Sequence, residues 1–384
     1  GVSEGKYDLR LTFQPNADRS LVDRDNSQTT GADPVSRATA LDGDGDGEPG
    51  GVFNFWFRVA TRTLYVDAYG ATGCTGTGSL TNPYTCISTA VSNARAGDVI
   101  RIVGNGGTDG DVGTPQDNTP YLIGFNLQGA PLRDGSRLEI PQGVTVMVDS
   151  GAVIKLRRGY IEAGSHRLTE NRSQGVLQVL GKPVLVDDAG TVRRDALGNA
   201  LSGRVYFTSL LDDSLGGDSV PGLATTPGAG DWGGLVFRRD LDQAAGRTDW
   251  EDTGIFLNNV NQADIRYGGG SVIVDTIPQV LTPIHAVDSR PTVTFSSITS
   301  SADAAITATP NSFEETNFHA PRFQGVPFTS DYTRVGPVMY GNRLEDNSIN
   351  GLLVRLRTPA GDDLEGLTVS GRWDDTEVVH VLAE

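Results

Sequence analysis

Apolar and polar residues alternate in short runs along most of the chain. Val144-Thr145-Val146-Met147-Val148, Val176-Leu177-Gln178-Val179-Leu180 and Arg204-Val205-Tyr206-Phe207 are examples, followed by Leu235-Val236-Phe237, Ala263-Asp264-Ile265-Arg266-Tyr267, Thr292-Val293-Thr294-Phe295 and Leu352-Leu353-Val354-Arg355-Leu356. Such alternation buries one face of a strand and leaves the other wet. From Val144 onward the runs recur irregularly, about every 25–35 residues, broken by Gly, Asp, Asn and Pro. Helical spacing is rare. Ile87, Ala90, Val91 and Ala94 predict one helix over Ile87–Ala96, with Ser88 as its cap and Gly97 as its stop. The chain therefore reads as all-β.

Two architectures accommodate this pattern: a β-sandwich with long loops, or a parallel β-helix with coils of variable length. The stretch from Leu138 to Leu156 favours the second. It holds three brief strands joined by tight corners at Pro141-Gln142-Gly143 and Asp149-Ser150-Gly151, with no hairpin turn between them. A solenoid coil has that form, and stacked coils bury a continuous apolar column.

Residues 1–60 read differently. The strand-like runs Lys6–Phe13 and Val52–Val59 flank a Pro/Asp/Ser-rich connection and an acidic loop. They suggest the closing strands of a β-sandwich-like module, with the β-helix occupying 61–384 and its opening segment at 61–105. The chain begins at Gly1, shortly before the first run, and stops at Glu384, directly after Glu377–Leu382. No signal-peptide pattern opens this sequence, and the expectation is a segment of a longer polypeptide whose last edge is covered by further coils or another subunit.

Several stretches carry a resemblance. Leu64-Tyr65-Val66-Asp67, Gly78–Tyr84, the short helix and Ala96–Ile102 resemble the first coil of right-handed parallel β-helix proteins. Phe207-Thr208-Ser209, Asp212–Asp218, Gly230–Leu235 and Ile265–Gly270 extend the likeness to β-helix segments of very large secreted bacterial exoproteins of the planctomycete type. The resemblance covers most of residues 40–384 and implies a right-handed solenoid and an extracellular or cell-surface location. It implies little about activity.

Composition narrows the function. Gly accounts for 49 of 384 residues, which disfavours helical bundles. The net charge of −17, from 31 Lys+Arg against 48 Asp+Glu, makes the chain a poor partner for nucleic-acid phosphates, which need a basic face. No apolar run approaches the ~18 residues of a membrane span.

Candidate chemistry is mostly acidic. Asp42, Asp44, Asp46 and Glu48 alternate with glycine in a tight loop, a spacing that crowds carboxylates on one side and suits Ca²⁺. The loop is not an EF-hand, because Phe53 stands where a bidentate Glu is needed. Asp212, Asp213 and Asp218 form a second cation candidate, and Asp109, Asp111 and Asp117 a third. In each case the alternative is a solvated loop whose Asp side chains cap local N–H groups. Cys74 and Cys86, the only cysteines, are expected to form one disulfide.

No catalytic set is evident. His166, His285, His319 and His380 sit in no nucleophile or metal pattern, and no Gly-x-Ser-x-Gly, P-loop or His-Glu-x-x-His occurs. The Gly-His-Gly and Arg-Ile-Lys patterns of polygalacturonase-like hydrolases are missing too. A lyase-like set can be spread through the chain, and Asp212, Asp213 and Arg238 would be a contrived trio. Trp232 reads as a packing plug. The expectation is a non-enzymatic structural or adhesive segment with structural Ca²⁺. Its partners would be other segments or copies of the same protein, in fibres or lattices, or surface glycans. The competing reading is a carbohydrate-binding or polysaccharide-lyase-like β-helix.

Overall fold

A computed structural model describes residues 6–12, 22–23, 39–40, 52–58, 60, 62–71, 73–187, 189–318, 332–357, 366–373 and 378–383. The chain divides into two compact units, residues 1–61 with 317–333, and residues 62–316 with 334–384. In the first, β1 (Lys6–Thr12) pairs antiparallel with β4 (Val52–Arg58), and β2 (Val22–Asp23) with β3 (Thr39–Ala40). The candidate calcium residues Asp42, Asp44, Asp46 and Glu48 lie outside the described residues.

The second unit is built on three parallel sheets. The first contains β5 (Thr63–Val66), β6 (Val99–Ile102), β9 (Thr145–Asp149), β12 (Val176–Leu180), β15 (Asn259–Asn261), β20 (Thr292–Thr294) and β25 (Val338–Tyr340). The second contains β7 (Tyr121–Gly124), β10 (Val153–Arg157), β13 (Val205–Ser209), β16 (Ala263–Arg266), β21 (Ser297–Thr299) and β26 (Arg343–Glu345). The third contains β8 (Leu138–Glu139), β11 (Ile161–Ala163), β14 (Leu235–Arg238), β19 (Ile284–Val287), β22 (Ala304–Ala308), β27 (Ile349–Arg355) and β28 (His380–Ala383). From β7 to β27 the strands of these sheets follow one another through second, third and first sheet in rotation, and β28 then adds to the third. Two pairs stand apart: the antiparallel hairpin β17 (Ser271–Val274) with β18 (Ile277–Val280), and β23 (Glu315–Phe318) with β24 (Tyr332–Val335).

Register converts this rotation into a core. In the first sheet Val66, Ile102, Val148, Val179, Val260, Val293 and Met339 are successive ladder partners. The second sheet stacks Tyr121, Ile154, Phe207, Ile265, Ile298 and Leu344. The third stacks Leu138, Ile161, Leu235, Ile284, Ile306 and Leu352. Most of these side chains are completely buried in one cluster, and each aliphatic one contributes about 1.5–3 kcal/mol of burial. Trp232 is also fully buried, its indole N–H donating to Arg266 O.

The corners explain where strands stop. Gly143 and Gly151, both at positive φ, turn the chain after Pro141 and Ser150. A side chain at Gly151 would also press on Val112. Elsewhere non-glycine residues take the left-handed corner. Arg158, Tyr267, Ser300 and Asp346 each follow directly on the last residue of a second-sheet strand, with φ of 51–63°.

The helix is shorter than expected. α1 runs over Ile87–Asn93, with Cys86 in the cap position and Ser88 inside the helix. A distant carboxylate replaces the expected cap: Asp134 Oδ1 accepts the Ile87 N–H at 2.7 Å. Ile87 and Ala90 face the core. Cys74 and Cys86 are disulfide-bonded, with Cα atoms 5.2 Å apart. Closing so short a loop stabilises by about 3 kcal/mol in the chain-entropy model.

The column predicts a sharp contrast between two isoleucines. Ile265→Ala, in the middle of the second-sheet column, should cost about 2–5 kcal/mol. Ile273→Ala, half-exposed on the hairpin, should stay within about 0.5 kcal/mol. Urea unfolding of the two variants checks this.

Candidate functional site

The outward positions of the third sheet carry the densest chemistry. Leu138 and Ile161 point inward, so Glu139 and Glu162 point outward, and they are direct ladder partners. Two carboxylates so placed repel unless cations intervene. Three arginines and a histidine do so. Glu139 accepts from Arg137 Nε, from Arg172 Nη2 at 2.8 Å and from the Tyr160 hydroxyl at 3.0 Å. Arg238 lies 3.5 Å from Glu162 and makes two bonds to Asp240, at 2.9 and 2.7 Å. His166 places Nδ1 2.8 Å from Glu162 Oε2 and Nε2 3.2 Å from Asp275 Oδ1. Arg167 engages the same Asp275, and Arg172 also holds Glu170 at 3.0 Å.

Asp275 sits in the turn of the β17–β18 hairpin, which covers this face. Val272 and Val274 pack on Tyr160, Val236 and Leu281 in a small apolar cluster separate from the main core. Beneath them Glu162 is 2 % exposed and the His166 side chain 1 %. Burial pushes the Tyr160 hydroxyl well above its ordinary range, with Glu162 and Glu139 adding to the effect. Burial works against the charge of Arg238, but Asp240 and Glu162 more than offset it and hold the guanidinium firmly protonated.

Among the described residues, Glu139, Glu162 and His166 are the one group of three whose ligand atoms lie within 4.8 Å of one another. Their surroundings are those of an ion-pair hub. Each carboxylate already receives a guanidinium or imidazole. Five acids (Glu139, Glu162, Glu170, Asp240, Asp275) meet four arginines (Arg137, Arg167, Arg172, Arg238), and a protonated His166 would close the balance.

Farther along the same face, His285 is completely buried and makes a directed chain. Thr282 donates its only hydroxyl proton to Ile284 O at 2.7 Å, so it accepts from Thr307 at 2.6 Å, which in turn accepts from His285 Nδ1 at 2.6 Å. Nε2 is left without a hydrogen-bond partner. Burial, with Arg355 and Arg238 adding to it, drives this imidazole down to about 3, so it stays neutral.

The second acidic loop folds over a buried lysine. Asp212 is 3 % exposed and accepts from Thr208 Oγ1, Ser214 N and Ser214 Oγ. Asp213 accepts from Thr225 and Asp218 from Val220 N. Lys155, outward on β10 and fully buried, donates to Gly217 O at 2.5 Å. Burial pulls its ammonium down to about 8, against the attraction of Asp213, Asp212 and Asp218. Arg238 belongs to β14 in the third sheet and is engaged by Asp240 and Glu162, not by Asp212 or Asp213, which follow β13 in the second. In the third loop Asp117 accepts from Thr108 and Asp109 N, and Asp111 pairs with Arg193 at 2.6 Å.

Sequence reading left His166 and both glutamates unassigned. The spacing Glu162-x-x-x-His166 was the one local signal. The meeting of Glu139 with Glu162 depends on ladder register.

Two outcomes follow from these burials. Glu162→Ala leaves buried Arg238 and His166 short of an anion and should cost about 3–5 kcal/mol. Arg343→Ala, whose pair with Glu345 lies in solvent, should leave the unfolding midpoint unchanged. Lys155 binds its proton more weakly folded than unfolded, so the unfolded state holds more protons between pH about 8 and 10.5, and stability gains with rising pH there. Urea midpoints of the wild type should therefore climb relative to Lys155→Met across that window; parallel curves would contradict the assignment.

The chain matches no family model, no curated protein and no solved structure, so the geometry of these residues alone bears on what they do.

Proposed function

We propose that this chain is an extracellular structural or adhesive segment without enzymatic activity. In this reading a right-handed parallel β-helix forms the shaft and strands of a β-sandwich-like module precede it. The observation that carries the proposal is the stacking of three apolar columns through six or seven parallel strands each, kept in the third sheet across a register shift between Ala304 and Ile306. At about 4.8 Å per strand, seven strands stack into a shaft of roughly 30 Å. Right-handedness follows the general rule for parallel crossovers. The disulfide suits an oxidising compartment. Other segments or copies of the same protein are its natural partners, and Ca²⁺ at Asp42, Asp44, Asp46 and Glu48 would neutralise the acidic loop.

A second reading, a carbohydrate-binding or lyase-like β-helix, draws on Phe295 and Tyr340. These rings are 43 % and 53 % exposed and meet edge to face, 5.3 Å apart.

Electron microscopy of the protein with and without chelator separates these readings when paired with an assay on acidic polysaccharides. Rods or ordered assemblies, altered by chelator, with no unsaturated sugar product, are expected. Compact isolated particles insensitive to chelator, or an ultraviolet-absorbing product that disappears in Asp213→Ala, would overturn the proposal.

A further inference from the structure

We propose that the β17–β18 hairpin is a proton-operated cover, latched over the outer face of the third sheet by His166 and released when that ring loses its second proton. The inference rests on the hydrogen-bond inventory of one histidine. A neutral imidazole has one N–H and one lone pair, so it donates to one acceptor only. His166 has a carboxylate oxygen at each ring nitrogen: Glu162 at 2.8 Å on Nδ1, and Asp275 at 3.2 Å on Nε2. Only the doubly protonated ring donates to both.

The two bonds are not equivalent. Glu162 is part of β11, paired on both sides within the sheet and buried. Asp275 belongs to a two-residue turn at the far end of a hairpin. When one proton leaves, the shorter, buried bond to Glu162 retains the other. Nε2 then presents a lone pair to the Asp275 carboxylate, and the latch becomes a repulsion. Arg167 is the remaining hold on the tip, and its side chain is 40 % exposed.

The turn itself favours release. Asp275 and Thr276 both lie at positive φ, 52° and 71°, and the second is β-branched, a residue type that resists this conformation. The base of the hairpin does not move with it. Gly268, Gly269 and Gly270 are threaded against Trp232, Gly233 and Ala302 by backbone hydrogen bonds, and a side chain at Gly270 would collide with Gly230 O. Opening is therefore a lifting of the strands beyond Gly270, which uncovers Val272, Val274, Val236 and Tyr160.

His166 is faced by carboxylates that attract a positive ring and by the arginines that hold those carboxylates. Glu139 approaches Nε2 at 3.7 Å from β8 and is itself held by Arg137 and Arg172. Arg238 from β14 holds Glu162, with Asp240 behind it. Glu170 lies beyond Arg167 and Arg172, and Asp242 caps the neighbouring Ser165 with Arg247 as its partner. Each facing carboxylate is already held by a guanidinium, so the proton count of the ring decides whether both of its bonds are made.

Hydrogen exchange of the full chain between pH 5 and 9, corrected for intrinsic rates, tests the proposal. Amides of residues 271–280 should exchange at least tenfold faster at pH 9 than at pH 5, while those of β14 and β19 beneath stay protected. Asp275→Ala should give fast hairpin exchange already at pH 5, with no further pH step. Hairpin exchange that tracks β14 and β19 across the range, or a pH step that survives in Asp275→Ala, would overturn it. The wild-type series decides even where the variant does not fold.

Discussion

Hydrogen bonds between parallel strands fix each strand of the second unit to its neighbours one residue at a time. Because side chains alternate with period two, a slip of one residue would turn every column inside out. The whole unit depends on this register. Val148 is an interior residue because Ile102 stands on one side of it and Val179 on the other. The corners serve the same constraint. A left-handed residue after each of β10, β16, β21 and β26 turns the chain at the same point of each circuit, so the next strand starts in phase.

The outer faces follow a different logic. A strand facing water needs only polar residues there, yet two outer faces of this unit are covered. The loop after β13 closes over Lys155, and the β17–β18 hairpin closes over Glu162. Burial of such groups is costly unless each is paired. Glu162 finds His166 and Arg238, whereas Lys155 finds a carbonyl and sits near three carboxylates. The difference in pairing is why burial still pulls the lysine toward neutrality while Arg238 remains charged.

Much of the strand pattern could be read from alternation. The stretch from Leu138 to Leu156 places its three strands in three different sheets, joined at the two corners that Gly143 and Gly151 announce. Corners at Arg158, Tyr267, Ser300 and Asp346 could not be read, since none of these residues advertises a left-handed conformation. Ser88 looked like a helix cap by local rules, but Asp134, remote in sequence, takes that role. The candidate site was hidden for the same reason. Glu139, Glu162 and Asp275 meet only through ladder partners and a folded-back hairpin, and no local motif encodes that. The acidic loop at Asp212 was visible as carboxylates alone. Lys155, the cation beneath it, lay far upstream.

The connections between ladder strands differ greatly in length. Only residues 295–296 separate β20 from β21, whereas residues 181–204 separate β12 from β13, in the same place two circuits earlier. The ladders do not register the difference: Val179 and Val260 pair as Val260 and Val293 do. Closing a longer loop costs only about 0.6 kcal/mol for each doubling of its length. Such a scaffold separates inheritance of the core from inheritance of the surface. Its excursions can be lengthened, shortened or exchanged one at a time, each as an independent trait, without disturbing the columns that determine folding.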